Sequence, residues 1–234
     1  MPLPNNSVTR LPSGVNTESS SSIFANFPYP YDSSLITYFN PFYTYTASDW
    51  VVTETQAGAT QALTAGSGGW LLLTNSAADN DLNALQKTPA MLDLSATKQT
   101  WFTSRFKVSD ATQSDVVFGM QVVDTTPLDV TDGIYFLKAD GAATVNIVCR
   151  KDASTGSTSA ASIATLTSDT FVQLDWYYDG AGYLFYAVNG TVSGSLSVAS
   201  YFPDTSVTVS FAVQNGEAVA KTMTVDWVGV WQER

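Results

Sequence analysis

The amino-acid sequence predicts an all-β sandwich preceded by an extended N-terminal arm. Three observations carry that prediction. From about Trp50 onward, short segments alternate apolar and polar residues with period two and end in Gly, Asn or Asp turns. Val, Thr, Tyr, Phe and Trp are abundant, as pleated, half-buried surfaces favour. Helical periodicity is scarce, with only Asp79 to Gln86 suggesting a turn or two of helix. About ten to twelve strands without crossover helices predict two antiparallel sheets packed face to face.

The elements follow in order. Trp70-Leu-Leu-Leu-Thr74 is a short apolar strand after the Gly66-Ser-Gly-Gly69 turn. Trp101 to Val108 places Phe102, Ser104, Phe106 and Val108 on one face and Trp101, Thr103, Arg105 and Lys107 on the other. Val116, Phe118, Met120 and Val122 form the next alternating set. Gly133 to Leu137 and Ala143 to Val148 flank Asp140-Gly141, a hairpin signal. Phe171 to Tyr178 puts Val172, Leu174, Trp176 and Tyr178 on one face. Asp179-Gly-Ala-Gly182 then turns the chain into Tyr183 to Val188, which ends at Asn189-Gly190. Val207 to Val213 and Met223 to Trp231 complete the set, and these patterns place Trp176 and Trp227 in the core.

Residues 1–45 read differently from 46–234. Pro2 to Ser22 is rich in Pro, Asn and Ser without a period, and an aromatic, proline-rich stretch follows. Its Phe24, Phe27, Tyr29, Tyr31, Phe39, Phe42 and Tyr43 are the candidate contacts with a partner, since aromatics supply contact area at low entropic cost; an extended arm lying along its own domain is the alternative. The division expected is therefore an arm over 1–45 and one sandwich domain over 46–234.

Composition narrows function. The 234 residues carry 44% apolar side chains, enough for a core, but only 13% charged ones, and the net charge is −11. An acidic surface repels phosphates and anionic lipid, which argues against nucleic-acid and membrane partners. There is no His, so no Ser-His-Asp or Cys-His triad and no His metal site. The one cysteine, Cys149, lies in the apolar run Val145 to Cys149 and reads as a buried, inert thiol. Met1-Pro-Leu-Pro-Asn-Asn lacks the basic and apolar regions of a secretory signal. Synthesis in the cytoplasm, without disulfide support, is the expectation.

The span Phe171-Val-Gln-Leu-Asp-Trp-Tyr-Tyr-Asp-Gly-Ala-Gly-Tyr-Leu-Phe-Tyr-Ala-Val-Asn-Gly190 resembles the paired strands of concanavalin A-like (LamG or laminarinase-type) jelly rolls. Met223-Thr-Val-Asp-Trp-Val-Gly-Val-Trp231 resembles their closing strand. The whole chain also resembles the head decoration (cement) proteins of tailed phages, in its low-charge Ser/Thr/Ala-rich body, its absent His and its Pro/aromatic arm. That second resemblance implies a jelly-roll sandwich on the outer surface of a virion. It would be bound to the major capsid protein and to copies of itself as a homotrimer.

Glycosidases of the first family present Glu-x-Asp-x-x-Glu from one strand, where alternate carboxylates reach the spacing a nucleophile and an acid need. The four Glu here are Glu18, Glu54, Glu217 and Glu233, and none has an acid two positions away. No catalytic residue is assigned and the expectation is a non-enzyme. Asp79-Asn-Asp81 and the run holding Asp124, Asp129 and Asp132 offer calcium-type oxygens without an EF-hand pattern. The resemblance leaves calcium open, and no other cofactor is expected. Glycan binding by a lectin-like module of a tail fibre or surface protein is the alternative. Trp101, beside Thr103, Arg105 and Lys107, and Tyr177, beside Gln173 and Asp175, are the candidate exposed aromatics for it.

Overall fold

The computed structural model describes residues 34–152 and 156–234. These form two eight-stranded antiparallel sheets, stacked as a sandwich. The first holds β1 (Leu35–Asn40), β3 (Thr60–Thr64), β4 (Trp70–Thr74), β7 (Thr100–Val108), β12 (Val172–Tyr178), β13 (Tyr183–Val188), β14 (Thr191–Ser197) and β16 (Thr222–Glu233). The second holds β2 (Trp50–Glu54), β5 (Leu82–Lys87), β6 (Leu92–Asp93), β8 (Ser114–Gln121), β9 (Gly133–Lys138), β10 (Thr144–Lys151), β11 (Gly156–Thr165) and β15 (Ser206–Asn215). The strand order is β14-β13-β12-β7-β16-β4-β3 in one, with β1 on β16, and β11-β10-β9-β8-β15-β5-β2 in the other, with β6 on β15.

The alternation read from sequence sets the core. Phe102 and Phe106 of β7, Phe118 of β8, Phe136 of β9, Trp176 of β12 and Phe211 of β15 meet between the sheets. Phe106 and Phe118 lie 4.1 Å apart by ring centroid, Phe118 and Phe136 5.0 Å, and Phe102 stacks on Trp176 at 5.6 Å. Burying each such ring stabilises the fold by about 1.5–3 kcal/mol, and aromatic pairing adds roughly 0.5–1.5 kcal/mol per pair. Cys149 is buried in the same core and donates to the Tyr201 carbonyl at 3.3 Å; burial pushes its thiol well above the usual range.

β16 is the axis of the first sheet. Its first half pairs with β4 and its second half with β1 on the same flank, while β7 runs along the other. The β7 register shifts between Val225 and Trp227, so Asp226 is an inserted bulge residue. A bulge changes which parity of residues faces the core. Met223 and Val225 point inward before it, and Val228 and Val230 after it. Trp227, Gly229 and Trp231 are thereby turned to the outside, which corrects the core assignment of Trp227. Trp176 is buried as expected.

Two further expectations are corrected. Asp79 to Gln86 is not helical: it turns into β5, whose Leu85 faces the core and whose Leu82 and Ala84 face a second apolar cluster. The boundary at residue 45 also moves. Leu35–Asn40 is a strand of the sandwich, and Phe42, 0% exposed, packs its ring 6.3 Å from Trp50 and 6.2 Å from Phe211. Phe42 has a positive φ of 52°, held by its N–H donating to Asn40 Oδ1 at 2.8 Å. It is a core residue of its own domain, not a partner contact. Phe24, Phe27, Tyr29 and Tyr31 lie outside the described residues.

Candidate functional site

A sandwich offers a binding partner its two outer faces. The outer face of the second sheet is filled by the chain itself. Residues 122–132, which join β8 to β9, fold back as a compact loop whose ends meet where the Val122 N–H donates to the Asp132 carbonyl at 3.0 Å. Val130 sinks into a small apolar cluster with Leu82, Ala84, Val117, Tyr135 and Ala212. Buried side chains of the sheet hold the loop down. Gln86 donates to the Val122 carbonyl at 3.0 Å and accepts from the Asp124 N–H at 2.9 Å. Gln121 donates to the Pro127 carbonyl at 3.0 Å, and Arg150 pairs with Asp129. Amide side chains suit this role because each carries both a donor and an acceptor.

The outer face of the first sheet carries a row of aromatic rings across five neighbouring strands. Trp231, Trp101, Tyr177 and Phe185 stand directly opposite one another on β16, β7, β12 and β13. Trp101 and Tyr177 stack at 5.1 Å, and Tyr177 and Phe185 at 5.9 Å. Phe39 of β1 closes the row, 6.4 Å from Trp231 and 6.2 Å from Trp227. The far edge of the Trp231 ring reaches over Gly229, where a Cβ would come within 2.3 Å of it. Trp70 and Phe171 form a second group at 5.1 Å, with Arg105 4.3 Å and Lys107 5.4 Å from the Phe171 ring centre.

Exposure along the row is uneven. Phe39 is 53% exposed and Tyr43, beyond the end of β1, is 71% exposed. Tyr177 is half-buried, and burial, with Asp179 and Glu233 nearby, pushes its hydroxyl up to about 12. Trp101 is 1% exposed, so the expectation of an exposed indole is corrected. Its polar face-mates misled, because Thr103 is buried too and Arg105 is tied to Asp226. Among the candidate aromatics named from sequence, only Phe39 and Tyr43 are open surface in the described residues.

Asp175 sits within this face, opposite Thr103 and beside Gln173, and is 0% exposed. Its Oδ1 accepts from the Thr103 hydroxyl and from Gln173 Nε2 at 2.9 Å, while Oδ2 has no hydrogen-bond partner among the described residues. Burial pushes its pKa up to about 6, against the lowering effect of Thr103, Gln173 and the Gly190 amide. A raised carboxyl acts as an acid in glycoside hydrolysis only with a second carboxylate about 5–5.5 Å or 6.5–9.5 Å away. The described glutamates are employed elsewhere: Glu54 accepts from Gln61, Glu217 pairs with Lys221, and Glu233 accepts from the Gln99 N–H.

The calcium candidates fare similarly. Asp81 accepts from the Ser76 N–H at 2.6 Å and the Thr55 hydroxyl at 3.2 Å, so it serves a turn. Asp124 caps Thr126, and Asp129 pairs with Arg150. Asp132 approaches Asp152 and Asp204 with ligand oxygens within 4.8 Å of one another, yet the Lys151 ammonium pairs with Asp204 and supplies the counter-charge. These residues do not fit a dedicated calcium cage.

No family model and no curated protein matches the sequence. Solved structures do match in shape. An endo-1,3-beta-glucanase from Streptomyces sioyaensis aligns with TM-score 0.63 at 13% identity, over 88% of this chain and 99% of that one. A protein of unknown function from Shewanella oneidensis MR-1 aligns with TM-score 0.59 at 13% identity, over 86% and 88%. The carbohydrate recognition domain of Emp46p, in a potassium-bound form, aligns with TM-score 0.52 at 12% identity, over 78% and 88%. At these identities the likeness is one of architecture: the chain has the concanavalin A-like jelly-roll fold, in which lectin domains and glycosidases are also built.

Proposed function

We propose that this chain is a non-enzymatic structural protein of a virion, a decoration module on the outer surface of a capsid. It binds the major capsid protein and further copies of itself, as a homotrimer, through the segment ahead of β1. The observation that carries this reading is that the centres of both broad faces of the sandwich are taken up by the chain's own described residues. One is filled by residues 122–132, and the other is built around a buried Trp101 and Asp175. A body of this kind offers rigidity and acidity to solvent while attachment falls to the N-terminal segment. The net charge of −11 keeps it clear of nucleic acid.

The test is the number of copies per purified particle, measured by quantitative mass spectrometry against the major capsid protein. A stoichiometric ratio to the capsid subunit is expected. Absence from particles overturns the reading. A few copies per particle would instead favour a fibre-borne glycan-binding module. The open Phe39 ring beside Trp227 and Trp231 favours that second reading, since sugars stack on such rings. A glycan array then decides, with Phe39→Ala expected to abolish any signal.

A further inference from the structure

The two sides of the sandwich are finished differently. On one side stand the edge strands β14 and β11, and both are bulged. The pairing of β14 with β13 shifts register between Tyr186 and Ala187, and that of β11 with β10 between Val145 and Ile147. Bulges of this kind twist an edge away from further pairing. On the other side stand β3 and β2, whose registers with β4 and β5 run without a shift. Neither has a further strand beside it among the described residues.

The seam between β3 and β2 is clasped at one end. There Gln61 donates to Glu54 Oε1 at 2.6 Å and to Asn83 Oδ1 at 2.7 Å. Past that clasp the seam is apolar. Val52 stands opposite Leu85 and Leu63 opposite Leu71, so both lie on the core-facing side of their sheets. Leu71 and Leu85 are 0% exposed, whereas Val52 is 38% and Leu63 44% exposed.

We propose that a second copy of this chain covers the seam, with β2 and β3 pairing antiparallel to their own counterparts across a twofold axis. Three observations favour this occupant. The first is the edge itself. Two adjoining, unshifted strands present rows of backbone donors and acceptors, and an identical pair supplies the matching rows. The second is charge. Each chain carries −11, so two copies meet with least repulsion where charged side chains are scarce. From residue 50 to 78 the one charged side chain is Glu54, which Gln61 holds. The third is register. Antiparallel pairing of β2 centred on Val52 sets each Glu54 opposite a Trp50 and not opposite the other Glu54. It also brings the two Val52 side chains together and closes the seam with apolar surface.

This contact joins folded bodies and goes beyond the attachment proposed above, which runs through the N-terminal segment. It is tested on the isolated protein and the virion reading on particles, so the two fail separately.

The experiment is sedimentation velocity of the purified full chain, beside full chains carrying Val52→Lys or Leu63→Lys. Both positions are exposed, so far-UV spectra and thermal scans should match the parent. The parent is expected to sediment as an assembly and each variant at half its mass. A monomeric parent would overturn the proposal. So would an assembly that neither lysine disrupts, because the copies would then be held elsewhere. In the full chain carrying Val52→Cys, a short bis-maleimide should join two chains through that position, Cys149 being buried. Failure to join them would overturn the twofold placement.

Discussion

Asp175 gives the sharpest residue-scale expectation. Its folded pKa of about 6 lies above the ordinary aspartate value of 3.8, so its ionisation opposes folding. The associated stability is fully present below about pH 4 and is lost as pH rises through about 6, on the order of 1–3 kcal/mol at pH 7. Asp175→Asn should therefore be more stable than the parent at pH 7 and converge with it at pH 4. Urea denaturation at the two pH values checks this, and a difference independent of pH would refute it. At Gly229, alanine has no room beneath the Trp231 ring. Gly229→Ala should cost about 1–3 kcal/mol through overpacking and displace that ring, visible as a change in near-UV circular dichroism. Neither effect could be read from the sequence. Asp175 looked like a polar residue on an outer face, and Gly229 like any glycine in a strand.

At the scale of elements, the strand patterns were legible because the two-residue period survives wherever one face meets the core. β7 and β12 match the alternation residue by residue, and β8 matches it through Met120, while Val122 lies past the strand and packs against the outer cluster. The misses have separate causes. The Asp226 bulge inverted the parity of β16 and sent Trp227 outward. Buried glutamines on β5 and β8 hold a loop where solvent was expected. The short β5 read as a helix turn because both of its faces are apolar. Removing Asp226 should drive Trp227, Gly229 and Trp231 toward the core and Val228 and Val230 out of it. The protein should then fail to fold cooperatively, as a calorimetric scan would show. Gln86→Ala leaves the Val122 carbonyl and the Asp124 N–H without their partner, at about 1–3 kcal/mol for each group that stays buried. Hydrogen exchange should accelerate in residues 122–132 first, with the core strands unaffected.

For the whole molecule, the sandwich takes in β1 and Phe42 as well as the residues after 45. Deleting residues 1–33 should leave a chain that unfolds cooperatively. Deleting 1–45 removes β1 and the Phe42 ring, about 3–5 kcal/mol for the ring alone, and should lower Tm by about 10 °C or more. Equal thermal scans for the two truncations would contradict the assignment of β1 to the sandwich. The pairing of β1 with the end of β16 also has a practical side. The backbone N–H of Arg234 donates to the Ser34 carbonyl, so these two residues lie side by side at one end of the first sheet. A reporter or tag fused after Arg234 would sit against Ser34 and the start of β1. The turn at Asn189-Gly190 lies at the other end of β12 and β13, and a side chain added at Gly190 would meet nothing within 4 Å. Cargo displayed from that turn would project away from Ser34 and Arg234.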